Sequence, residues 1–154
     1  MSRRLASAVL AVALAGPAAA HPMPNSVLLV EIRPGMVELY ASIPASELEA
    51  AGGAQASEVG RYLIRHATVT GADGHAWPPE TREARSGERD GHRTLDATLL
   101  FKPRPGRSDR AVVLRYDAVT DRIASHYVLV YRRVEGTLTP LGRLQSPETE
   151  LTLP

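Results

Sequence analysis

From residue 26 onward, apolar side chains recur at every second position in short runs, and this period-two pattern most constrains the fold. Val37, Leu39, Ala41 and Ile43 form one such run, and Leu95, Ala97, Leu99 and Phe101 form another. Residues two apart share one face of a strand, so each run offers one apolar face to a core. Val112, Leu114 and Tyr116 read the same way, and Val27 to Ile32 is an apolar, β-branched run. Turn residues separate the runs at Arg33-Pro34-Gly35, at Ala72-Asp73-Gly74 and between Pro103 and Asp109.

Helical spacing is brief. Ser46-Glu47-Leu48-Glu49 has the capping-box form that opens a short helix, and Gly52-Gly53 ends it. A second helix is expected over Ser57 to Arg65, where Val59, Tyr62 and Leu63 fall at i, i+3 and i+4. Trp77 sits on the returning side of the hairpin around Asp73-Gly74. Thr81 to Gly91 is charged and has no periodicity, so it reads as a mobile surface loop. Further strands are expected over Ser125 to Arg132, near Leu138 to Leu144, and over Glu150 to Leu153. Seven to nine short strands between turn signals predict an antiparallel β-sandwich, Ig-like, with one or two short helices.

The amino terminus reads differently. Arg3 and Arg4 precede an apolar run from Leu5 to Leu14, Gly16-Pro17 breaks it, and Ala18-Ala19-Ala20 supplies small residues. Those are the parts of a cleaved secretory signal peptide over residues 1–20, which leaves a single domain over residues 21–154. The apolar run is too short to span a bilayer, and no later segment is long and apolar enough to do so. Without Arg3 and Arg4, 16 of the 18 basic side chains remain against 17 acidic ones, a net charge of −1. That balance gives no reason to expect nucleic acid as a partner. The absence of cysteine excludes thiolate metal sites. Lys102 is the only lysine, an arginine bias that fits a GC-rich bacterial genome. The expected location is therefore the periplasm.

Cleavage after Ala20 makes His21 the first residue of the mature protein. An α-amine ordinarily titrates at about 7.7–8.0 and an imidazole at about 6.5, so both nitrogens can become available as donors close to neutral pH. Together they form a bidentate chelate for a divalent transition metal, Cu(II) foremost and Ni(II) or Zn(II) less distinctively. Pro22 has no amide hydrogen for such a metal to displace, so further ligands must come from elsewhere in the fold. His66, at the exit of the second helix, and His126, near the start of a late strand, occupy element ends where distant segments can meet. His75 and His92 lie in turn and loop sequence, where solvated histidines are usual. No nucleophile elbow, phosphate loop, dinucleotide fingerprint or H-E-x-x-H motif is present, so a non-catalytic role is expected.

Four segments resemble, in order, the extracytoplasmic domain of HupE/UreJ-like membrane proteins. They are His21-Pro22-Met23-Pro24-Asn25-Ser26; Tyr62-Leu63-Ile64-Arg65-His66 with Asp73-Gly74 and Trp77; Leu114 to Val119; and Ser125-His126 with Leu129-Val130. The resemblance implies a β-rich domain outside the cytoplasmic membrane and a role in handling nickel or another divalent metal. It places His21, His66 and His126 on shared segments as the candidate ligands, with His75 and His92 outside them. In that family transmembrane helices follow this domain. Here the chain ends at Pro154, so transport itself is not carried over. The expected partner is a membrane transporter or other membrane-embedded protein. The competing expectation is a module that binds such a partner and whose histidines are structural.

Overall fold

Two sheets close over one core, as the alternation predicts. The computed structural model describes residues 25–53, 55 and 57–154. Its elements are β1 (Ser26–Arg33), β2 (Met36–Pro44), α1 (Ala45–Ala50), α2 (Val59–His66), β3 (Ala67–Gly71), β4 (Ala76–Trp77), β5 (Pro79–Arg89), β6 (His92–Phe101), β7 (Ala111–Tyr116), β8 (Val128–Val134), β9 (Thr137–Leu144) and β10 (Glu150–Thr152). The larger sheet has the order β5-β6-β2-β1-β8-β9 and the smaller β10-β7-β3-β4. The fold is thus a mainly antiparallel β-sandwich with two short helices. The expected signal peptide and His21 lie outside the described residues.

The alternating runs supply the contact between the layers. Leu28, Val30, Leu39 and Leu99 of the larger sheet and Val69, Leu114 and Tyr116 of the smaller are buried in one cluster. Burying a side chain of this size contributes about 1.5–3 kcal/mol. Trp77 completes the core at 2% exposure. No helix among the described residues is long and apolar enough to cross a membrane.

One pairing breaks the antiparallel rule. β1 runs parallel to β8, with Ser26 opposite Val128 and Val30 opposite Arg132. Parallel neighbours cannot be joined by a tight hairpin, and here the chain visits the smaller sheet between them. The consequence for the site is direct. The starts of β1 and β8 lie at the same pole as the end of β2, which pairs antiparallel with β1.

Two local expectations are corrected. Residues 81–89 are not a mobile loop but most of β5, which pairs with β6 along its length. β5 is an edge strand whose side chains are mostly exposed on both faces, so no alternation betrays it. Its charged residues also guard an open edge against further pairing. Ser46 is not a cap either: Pro44 occupies that position and no side chain closes the helix start. The helix begins at Ala45, directly after β2, and Glu49 pairs with Arg93 instead.

Gly87 inside β5 marks a close approach, as a strand glycine often does. A Cβ there would fall 2.3 Å from Asp96 Oδ2 and 2.9 Å from Thr94 Oγ1. Asp96 and Thr94 are themselves buried, so neither can swing into solvent. Gly87→Ala is expected to destabilise the domain by about 1–3 kcal/mol through overpacking. Urea unfolding checks this as a lower midpoint at unchanged slope.

Candidate functional site

The loop over residues 117–127 joins the end of β7 to the start of β8 and organises the pole where β1 begins. The Asp121 N–H donates to the Asp117 carbonyl at 3.0 Å, that of Ile123 to Val119 at 2.8 Å, and that of His126 to Ile123 at 3.0 Å. Val119 sits at φ 67, an uncommon conformation for a β-branched residue. Its N–H donates to the Tyr62 hydroxyl at 3.0 Å, which ties the loop to α2.

α2 places Tyr62 and His66 one turn apart, so their rings meet, with centroids 4.3 Å apart. His66 is the last residue of that helix, and its carbonyl accepts the Asp117 N–H at 3.0 Å. Its Nδ1 lies 2.8 Å from Asp117 Oδ1. The other Asp117 oxygen accepts a hydrogen bond from Arg115 Nη2 at 2.9 Å. The His66 side chain is 19% exposed, and its Nε2 has no hydrogen-bond partner among the described residues. With the Nδ1 hydrogen donated to Asp117, Nε2 carries the available lone pair. This carboxylate–imidazole arrangement is the one that orients a histidine toward a metal.

His126 is built differently. It lies just before β8 rather than within it, and it is buried at 4% exposure. Its Nε2 lies 2.9 Å from Ser26 Oγ, and its Nδ1 lies 3.3 Å from Glu47 Oε2. Glu47 and Ser26 are buried as well. Burial pushes the His126 imidazole below its ordinary range, with Glu47 pulling in the opposite direction. With Nδ1–H donated to Glu47, Nε2 accepts the Ser26 hydroxyl hydrogen, and the neutral ring has nothing left to offer.

Serine, histidine and carboxylate in this order match the roles of a catalytic triad. Ser26 is 0% exposed, and its own N–H donates to the Tyr127 carbonyl at 3.3 Å. That amide is therefore spent on the protein rather than aimed at a developing oxyanion. As folded, the array joins β1, α1 and the 117–127 loop.

The remaining candidates sit apart. His75 is exposed in the β3–β4 turn, with Nδ1 3.0 Å from the Asp73 carbonyl oxygen. His92 is exposed at the start of β6. His21 is outside the described residues, but the described chain begins at this pole. The Asn25 carbonyl accepts a hydrogen bond from Arg89 Nη2, and β1 starts beside Tyr127. Among the described residues, no three side chains of the His, Cys, Asp or Glu types gather into a metal-holding group.

Sequence reasoning placed His66 and His126 at element ends but missed their partners. Asp117 follows a strand and reads as a turn residue. Glu47 stands in a short charged helix, where a solvated face is the default. Their roles depend on pairings across 51 residues in one case, and on the 3.3 Å approach of α1 to the 117–127 loop in the other. Comparison of the chain with protein-family models and with curated proteins gives no match.

Proposed function

We propose that this is a periplasmic domain that binds and delivers a divalent transition metal, Cu(II) first, with Ni(II) or Zn(II) behind it. The terminal amine and imidazole of His21 form the chelate, and His66 Nε2 adds a protein ligand. The observation that carries this reading is His66 itself. It is partly exposed, oriented by Asp117 at 2.8 Å, and has an Nε2 without a partner among the described residues. The described chain starts at the pole built by the loop that holds His66, and Asn25 lies four residues after His21. Four extended residues reach at most about 14 Å. His126, with both nitrogens engaged, holds the pole together in this proposal and is not a ligand. The resemblance to HupE/UreJ-like extracytoplasmic domains supports the metal class and a membrane-embedded partner as donor or recipient.

Calorimetric titration with Cu(II) tests the role of His66. His66→Ala should weaken binding about 10–100-fold, and Asp117→Asn should do so to a similar or smaller extent by releasing the ring. A second reading rests on the saturated hydrogen bonding of His126: the pole histidines are structural, and the domain docks on a membrane partner. Cu(II) affinity unchanged in both variants would favour that reading.

A further inference from the structure

On the smaller sheet, a cleft opens where the chain leaves β4 for the other layer. Trp77-Pro78-Pro79 makes that crossing, and Pro78, without an N–H, ends the pairing with β3 at Trp77. Ala67 and Thr68 therefore pair with β7 on one side and have no β4 residue on the other. The gap is a cavity of about 330 Å³ bounded by Ala67, Thr68, Pro78, Pro79 and Ile64. Ile64 is one of the few large apolar side chains exposed among the described residues. A second cavity of about 230 Å³ shares Ala76, Trp77 and Arg104 with the first and adds His75 and Arg107.

One end of this cleft is thus apolar and the other cationic. Arg104 and Arg107 belong to the β6–β7 turn, where the Arg107 N–H donates to the Arg104 carbonyl at 3.1 Å. Neither guanidinium is in an ion pair among the described residues, whereas Arg33, Arg85, Arg93, Arg115 and Arg133 all are. Asp73, the acid of the neighbouring turn, anchors that loop. Its oxygens accept the N–H groups of Ser108 at 3.1 Å and His75 at 3.2 Å. Trp77 forms the floor, and its buried Nε1 has no hydrogen-bond partner among the described residues. Gly71 makes room for the indole, since a Cβ there would come within 2.7 Å of Nε1.

We infer that this cleft binds a small amphipathic oxyanion: Arg104 and Arg107 hold a phosphate or carboxylate group, and the Trp77–Pro78–Pro79 wall covers an apolar body. Guanidinium forks match the geometry of both oxyanions. This site uses none of the residues of the proposed metal pole.

Trp77 is the only tryptophan, so its emission reports on the cleft directly. Phenyl phosphate, benzoate and inorganic phosphate should be titrated while emission and heat are followed. At least one aryl probe should saturate, and it should bind at least 10-fold more tightly than inorganic phosphate. Which aryl probe binds better identifies the oxyanion. Arg104→Ala/Arg107→Ala should weaken that binding at least 10-fold with an unchanged melting temperature, while Arg82→Ala, a surface arginine elsewhere, should leave it intact. No saturation of either aryl probe in emission or heat overturns the inference. So does equal affinity for inorganic phosphate, or unaltered binding in the double variant.

Discussion

Mature protein beginning at His21 should bind Cu(II) tightly, and the same protein with its α-amine acetylated should bind it more weakly by orders of magnitude. Acetylation turns the α-nitrogen of His21 into an amide nitrogen and leaves no free amine, so amine and imidazole no longer close one chelate ring. His21→Ala should lose the imidazole half and fail similarly. His75→Ala and His92→Ala should change little, since both side chains lie on exposed hairpins. The metal competes with protons for both donors. Affinity should therefore begin to fall as pH drops below about 8 and fall more steeply below about 6.5. Calorimetry on the two forms measures the effect. Equal Cu(II) binding would eliminate the terminal chelate and shift the reading to a partner-binding module. Loss on acetylation but not in His66→Ala would keep the chelate and remove only the second ligand.

His126→Ala should be the most damaging of the histidine substitutions for folding. It opens a cavity and leaves the buried Glu47 carboxyl and Ser26 hydroxyl without their shared partner. The expected cost is about 2–4 kcal/mol, measured by chemical unfolding. His126→Gln, which can still donate and accept, should recover part of it. The same residue gives stability a pH dependence of known sign. Burial lowers the native affinity of His126 for a proton, so below about pH 6.5 the unfolded chain binds the extra proton more readily. The contribution is complete above that pH and is lost as pH falls through the lowered native value. In His126→Gln this acid slope should shrink. An identical pH profile in the two proteins would show that other groups dominate the acid limb.

The strands were legible wherever one face is buried and the other is not. Leu95 to Phe101 and Val37 to Ile43 lie where their alternation put them, and Trp77 returns from the Asp73-Gly74 turn as read. β5 was illegible because an edge strand with solvent on both faces has no reason to alternate. Gly87 was its one signal, and it becomes meaningful only once the buried Asp96 side chain is seen beneath it. The Ser46 capping box failed because Pro44, ending β2, already occupies the cap and the helix starts two residues early. His66 and His126 looked equivalent in sequence, each a histidine at an element boundary. They differ because Asp117 reaches one nitrogen of His66, while Ser26 and Glu47 reach both nitrogens of His126.

What the amino-acid sequence determined by itself is local: period-two runs, turns at Pro-Gly and Asp-Gly, two short helices, and hence a β-sandwich. Those features depend on neighbours within a few residues, where side-chain direction follows directly from backbone geometry. Only the tertiary structure decided which strands became neighbours, including the parallel β1–β8 pair that puts the start of the described chain beside the 117–127 loop. It also decided which histidine keeps a ring nitrogen free of hydrogen-bond partners among the described residues. Hydrogen-bond saturation is a property of what packs around a side chain, and for His66 and His126 those partners come from segments remote in the chain.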